Sequence, residues 1–343
     1  MTLKQFGATD CGAPVWLAEL KAGGVAAEVI SYGATLHRVY APGRDGKAAD
    51  VILGKDSLAG YASRGAPSGA VIGRVANRIK GHSFSIDGKR YTLDANEGKN
   101  TLHSGCGNYA QKNFAVVEAT DRLVRLAARD RGEAGFPGEA AVEVCYSLSD
   151  DGTLLIEYSL IPTHDTPVNL TNHVYFNLAG QGSGDVYGHT LMIDADYYTP
   201  CDAQNIPTGE ILRTKKTLFD FTKPQNLGAA MVELKRAGDW RGGYDHNFVL
   251  NGEGWRKIAY AADEASGRAI GVFTDLPGVQ LYTGNFIADG AEGKDGAVYK
   301  AHSGFCLETQ FFPDTIHRPH FPGGAAYAGE VFETATAYRF YTI

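Results

Sequence analysis

The stretch that most constrains this chain is Asn169-Leu170-Thr171-Asn172-His173-Val174-Tyr175-Phe176-Asn177-Leu178. Leu170, Val174, Phe176 and Leu178 recur with period two, broken only by Asn172, which predicts a β-strand with one apolar face. The opposite face carries Asn169, Thr171, His173, Tyr175 and Asn177. All of these can hydrogen-bond and none is charged at neutral pH, whereas a water-facing strand normally shows Lys, Glu or Arg. Such a face suits the hydroxyls of a sugar. For His173 taken alone, an ordinary surface position is the plainer reading; neutral donors and acceptors in register argue against it.

The rest of the chain reads as strands and turns. With 43 Gly, 18 Tyr and 16 Phe, and with few long helical patterns, it is expected to be mainly β. Val15 to Leu20 and Val25 to Tyr40 open the chain as strands interrupted at Gly23-Gly24 and Gly33. Phe84 to Ile86, Asp87-Gly88 and Tyr91 to Leu93 read as a hairpin with a type I′ turn. Val142 to Leu148 and Leu154 to Leu160 form another across Asp150-Asp151-Gly152. Leu227 to Ala237 is the best helix, with Leu227, Met231 and Leu234 at helical spacing.

Several function classes are excluded at this level. A net charge of −7 without a Lys/Arg block leaves no basic groove for a phosphate backbone, so nucleic acid is not an expected partner. No apolar run approaches the ~20 residues of a membrane span, and Met1 to Gly12 lacks the plan of a signal peptide. A cytoplasmic protein with no membrane partner is expected. Cys11, Cys106, Cys145, Cys201 and Cys306 are widely spaced with no Cys-x-x-Cys, which suits buried free thiols rather than a disulfide or zinc framework. Gly180, Gly182 and Gly184 are not a dinucleotide loop, because Tyr187 to Ile193 reads as strand rather than helix. His317-Arg318-Pro319-His320 holds a proline between its histidines and reads as a surface loop, so no metal site is expected.

Further motifs carry chemistry. Val71 to Ile79 embeds Arg74, Asn77 and Arg78 in an apolar run; Asn100 to Gly105 places His103 at a strand or loop end. Gly242 to Leu250 alternates Asp245 and Asn247 against His246, Phe248 and Leu250, and Val279 to Phe286 contains Gln280. Glu308 sits in Gly304 to Pro313, a strand otherwise apolar or weakly polar. A carboxylate there is either paired, with Arg78 or another arginine, or desolvated and raised in pKa toward the range where a base acts near neutral pH.

Taken in order, these motifs resemble those of the galactose mutarotases (aldose 1-epimerases), the strands around His173 and Glu308 most specifically, and the resemblance covers nearly the whole chain. It implies one antiparallel β-sandwich domain over residues 1–343, all-β with few short helices, acting on a free aldose without a cofactor, as a monomer or homodimer. It implies that His173 is the catalytic acid, that His103 is a second active-site histidine, and that Asn77, Arg78, Asp245 and Gln280 contact substrate. Arg74 and His246 are read as structural, and Ile30 to Leu36 as a scaffold strand. Interconverting anomers needs one base for the anomeric hydroxyl and one acid for the ring oxygen, and Glu308 and His173 supply that pair. Phe311-Phe312 and the tail after His317 vary among relatives, which bears on sugar preference. A noncatalytic sugar-binding sandwich would need no acid and base, a sugar-phosphate epimerase would need an arginine cluster, and a glycosidase would need two placed carboxylates.

Overall fold

The computed structural model describes residues 3–63 and 68–343. Its strands fall into three main antiparallel sheets. The first is a meander in chain order, Leu3–Ala8, Pro14–Ala22, Val25–Ile30, Thr35–Pro42 and Ala48–Asp50. The second has nine strands, with Ala115–Ala119, Leu123–Asp130, Ala140–Leu148 and Thr153–Pro162 followed by the C-terminal Phe332–Thr342, then Arg268–Thr274, Arg256–Asp263, Thr190–Ile193 and Gln225–Asn226. The third runs Leu212–Arg213, Tyr197–Thr199, Asp245–Val249, Gly278–Tyr282 and Cys306–Gln310.

Period-two patterning decides which faces meet. Along Thr153–Pro162 the buried positions alternate, with Leu154, Ile156, Tyr158 and Leu160 turned inward. Burial of each such side chain contributes about 1.5–3 kcal/mol. Leu20 and Val39 from the first sheet, Val144 and Phe340 from the second, and Phe248, Leu281 and Leu307 from the third join one continuous apolar cluster. The result is an antiparallel β-sandwich. Among the described residues the α-helices are Leu58–Ala62 and Leu227–Arg236. The latter buries Leu227, Met231 and Leu234 as its spacing requires, and Asn226 caps it by accepting from Ala229 N at 2.8 Å. No helix among the described residues is long and apolar enough to cross a membrane.

The hairpin turn at Asp87-Gly88 has φ of 50° and 76°, as type I′ demands. Other local expectations need correction. Ile30 to Leu36 is not one strand: Gly33 and Ala34, at φ of 68° and 44°, turn the chain between two strands. A Cβ at Gly33 would lie 2.8 Å from Ala110 O, so the turn depends on glycine. The strand expected from Tyr187 begins only at Thr190, because Tyr187 O instead accepts from Gly228 N at 3.1 Å at the start of the helix.

The stretch from Asn169 to Leu178 is buried throughout, yet it pairs as a strand only at Thr171–Asn172, against Val71–Ile72. Elsewhere it makes isolated bridges, Asn169 to Val75 and Phe176 to Ile52 and Phe305. It threads between elements that approach one after another instead of lying beside one long neighbour. The cysteines are all free, as expected, but only Cys145 and Cys306 are buried; Cys11 and Cys106 are exposed and Cys201 is intermediate. Cys11 falls in a turn and Cys106 in the short 3-10 helix Gly105–Gly107, so the alternation that buries a strand cysteine does not operate there.

Candidate functional site

A cleft of about 1090 Å³ is lined by Asn77, Arg78, His103, His173, Asp245, Gln280 and Glu308, the residues given a catalytic or substrate-contacting role from the sequence. The third sheet supplies its floor. In antiparallel register Gln280 faces Glu308 and Asn247 faces Gln280, while Asp245 pairs with Tyr282, so alternate side chains from neighbouring strands project to the same side. His173 comes from the threaded segment, and Asn77 and His103 stand across from it on turns with φ of 60° and 49°.

His173 Nε2 lies 3.7 Å from Glu308 Oε1, and both side chains are almost fully buried. Burial penalises each charged form. It lowers the His173 pKa to about 4. Burial, reinforced by the Asp245 charge and opposed by Arg78, holds Glu308 well above the usual carboxylate range. The pair therefore shares a single proton over a wide pH interval, and the neutral pair and the carboxylate–imidazolium pair carry the same net charge. Tyr175 stacks on the His173 ring at 4.9 Å, and Tyr282 meets it edge-on at 6.1 Å.

His103 has a defined tautomer. Its Nδ1 accepts from Asn77 N at 3.1 Å, and Asn77 O accepts from His103 N at 2.9 Å. A backbone N–H can only donate, so the proton of the neutral ring resides on Nε2. Burial, then the neighbouring His173 and Arg78, keep His103 well below its ordinary pKa and hence neutral. Arg78 is gripped by Glu97, Nε to Oε2 at 2.6 Å and Nη2 to Oε1 at 2.7 Å, which leaves Nη1 outside the fork. The ion pair of Arg78 is thus with Glu97 rather than with Glu308.

Asp245 is held at both oxygens. Gln280 Nε2 donates to Oδ1 at 2.7 Å, and Asn205 Nδ2 approaches Oδ2 at 3.5 Å. Arg241 Nε donates to Asn205 Oδ1 at 2.6 Å and so turns the amide nitrogen of Asn205 toward Asp245. Asn205, Arg241, Glu97 and Tyr282 went unidentified from the sequence. Asn205 and Arg241 lie in polar turns that look like ordinary loop, and only the register of the third sheet brings them to Asp245.

Of the polar residues on the threaded segment, His173 and Tyr175 line the cleft. Asn169 instead bonds both backbone groups of Phe311, and Asn177 donates to Gly184 O and Ser303 O. Their polarity serves loops rather than a ligand. Arg74 is completely buried and bonds Asp130, Pro137 O, Gly138 O and Thr166, a structural role as expected. His246 sits against Phe219 at 4.7 Å, outside the cleft lining.

His173, Cys306 and Glu308 offer ligand atoms within 4.8 Å of one another. Cys306 Sγ faces Nδ1 of the ring at 3.5 Å, however, while Glu308 faces Nε2. One ion could use only one of these nitrogens, and burial keeps the thiol well above its ordinary pKa. The donor set is arranged as a line of proton carriers across an imidazole rather than as a coordination shell.

Comparison with known proteins gives a consistent picture. The family model described as aldose 1-epimerase matches residues 17–339. The chain is 44% identical over 319 residues to the galactose mutarotase of Bos taurus, covering 91% of this chain and 90% of that one. It is 36% identical over 326 residues to the aldose 1-epimerase of Escherichia coli, covering 92% of each. The crystal structure of an aldose epimerase homologue from C. elegans superposes with a TM-score of 0.87 at 30% identity, over 95% of this chain and 99% of that one.

Proposed function

The chain belongs to the aldose 1-epimerase family, and on that premise we propose that it interconverts the α and β anomers of free aldohexoses such as galactose and glucose. The observation that carries the reading is the buried His173–Glu308 contact at 3.7 Å on the floor of a polar cleft. Glu308, as carboxylate, takes the proton of the anomeric hydroxyl. The C1–O5 bond breaks as the C1 carbonyl forms, and O5 receives the proton of His173 Nε2. Rotation about C1–C2 exposes the other face of the aldehyde. O5 then returns its proton to His173 and attacks C1, and the former carbonyl oxygen recovers the proton from Glu308. The proton count is restored at every turnover, so this acid–base cycle closes on the chain's own side chains.

The surrounding groups bind and orient. His103 directs its Nε2–H, and Arg78 its remaining Nη1, at sugar oxygens. Asp245, its orientation fixed by Gln280 and Asn205, accepts from ring hydroxyls; Asn77 adds a further polar contact. A binding module would not need to hold a histidine and a carboxylate in a desolvated pair. A phosphate ester would need free cations, but among the described residues of the cleft Arg78 is committed to Glu97, and Lys55 Nζ donates to Glu292 O at 2.6 Å. The unpaired cysteines support a reducing compartment, the cytoplasm.

Polarimetry tests the proposal. Freshly dissolved α-galactose and α-glucose should reach anomeric equilibrium faster in proportion to enzyme. Methyl β-galactoside should compete with galactose but remain intact, because its methyl group replaces the proton that Glu308 must remove. Methanol release scaling with enzyme would instead indicate a glycosidase, and binding without accelerated rotation would indicate a carbohydrate-binding module.

A further inference from the structure

The cleft is larger than its reaction requires. Its volume of about 1090 Å³ lies just above the range of about 300–1,000 Å³ that holds drug-sized ligands, well beyond one hexose ring. Part of its lining is a row of aromatic rings that leads outward from His173. Tyr282 stands 6.1 Å from His173, Phe286 lies 6.3 Å from Tyr282 and stacked with it, and Trp240 lies 6.0 Å from Phe286. Both outer rings line the cleft, and both are 57% exposed. They are also anchored. Phe286 N donates to the Tyr282 hydroxyl at 2.9 Å, and the guanidinium of the buried Arg241 packs 5.0 Å from the Trp240 ring centre.

A large aromatic pair left open at the mouth of a polar cleft offers flat apolar faces to a ligand that already has its hydroxyls engaged further in. The C–H face of a second sugar ring meets that description. Direction follows from the chemistry, and this step rests on the anomer-interconverting reading above. Glu308 marks O1 and His173 marks the ring oxygen. The ring carbon beyond that oxygen is C5, which carries C6. Along the third sheet the same course runs from the Glu308–Gln280 pair to the Cys306–Tyr282 pair and on to Phe286. We propose that Phe286 and Trp240 form an outer subsite for a substituent on O6, so that the enzyme also interconverts the anomers of reducing disaccharides joined through O6.

The test compares melibiose, whose reducing glucose is substituted at O6, with lactose, substituted at O4, and with free galactose. The wild-type enzyme should accelerate mutarotation of melibiose with a lower KM than for lactose. Trp240→Ala and Phe286→Ala should each raise KM for melibiose about 3- to 10-fold, the scale of one aromatic stacking contact, and leave galactose kinetics as they are. Both positions are exposed, and an unchanged thermal midpoint confirms folding. Acceleration of galactose but not melibiose would overturn the subsite alone, as would equal KM changes for both sugars or a preference for lactose that Trp240→Ala abolishes. Failure to accelerate galactose at all would remove the anomer reading beneath it.

Discussion

Gln310 Nε2 donates to Gln280 Oε1 at 3.1 Å, and that contact decides which end of the Gln280 amide faces Asp245. With its oxygen engaged by Gln310, Gln280 must present nitrogen to the carboxylate. Gln310 is itself bound to Asn247 Oδ1 at 3.0 Å, so a row of carboxamides crosses the strands to one acceptor. On the other side Arg241 does the same for Asn205. Asp245 is therefore a fixed acceptor and not a mobile acid, which is what recognition of a hydroxyl requires.

Removing the outermost amide should loosen that acceptor without touching substrate. Gln310→Ala is expected to raise KM for galactose about 3- to 10-fold, the scale of one lost hydrogen bond of ~1 kcal/mol, with kcat nearly retained. Initial rates by polarimetry over a range of galactose concentrations give the split. A fall in kcat at constant KM would place Gln310 in the chemical step instead.

Glu308→Gln and His173→Asn keep shape but remove the base and the acid. Each should lower kcat by about 10²- to 10⁴-fold, with smaller effects on binding. Circular dichroism establishes that the variants fold. A folded variant turning over at the wild-type rate would exclude that residue from the proton path.

Much of this site was legible in the sequence because its chemistry departs from its local pattern. Glu308 is a carboxylate in a strand that otherwise buries, and His173 belongs to a face of neutral hydrogen-bonding groups where charged ones would be ordinary; both line the cleft. Arg74 read as structural, and it is enclosed by Asp130 and backbone carbonyls. What stayed hidden depends on tertiary register. Asn205 and Arg241 sit in loops whose composition only marks a turn, and Glu97 is one polar residue among several until Arg78 folds against it. The segment around His173 misled in one respect, since period two predicts a strand but not whether a neighbour runs alongside it. Its Asn169 and Asn177 satisfy loop backbone groups that no local pattern reveals.

Arg74 makes a stability prediction separate from activity. Its side chain is 0% exposed and its Nε lies 2.8 Å from Asp130 Oδ2, so Arg74→Ala strands a buried carboxylate. The expected loss is about 3–5 kcal/mol, read from urea unfolding. Replacing both partners, Arg74→Met with Asp130→Leu, should cost less than Arg74→Ala alone. A loss under ~1 kcal/mol for the single change would mean that the pair contributes little, as exposed pairs do.

The pH dependence follows from the proton shared by His173 and Glu308. Catalysis needs one proton on the pair, since two leave no base and none leaves no acid. Burial lowers His173 to about 4, so the second proton binds only below that pH, and the acid limb of kcat/KM should fall there rather than near the ordinary histidine value of about 6.5. Burial, with the Asp245 charge behind it, raises Glu308 well above its ordinary value, so the last proton leaves only at higher pH, where the alkaline limb begins. Between the limbs the rate should be flat. Asp245→Asn supplies the sign test. It removes a negative charge that opposes ionisation of Glu308, so the alkaline limb should move to lower pH while KM rises through the lost hydroxyl contact. Polarimetric initial rates from pH 3.5 to 10, with the enzyme-free rate in the same buffer subtracted at each pH, give both limbs. A profile climbing through a single ionisation near 6.5, unmoved by Asp245→Asn, would mean that an ordinary histidine base acts alone and that the buried pair does not share its proton.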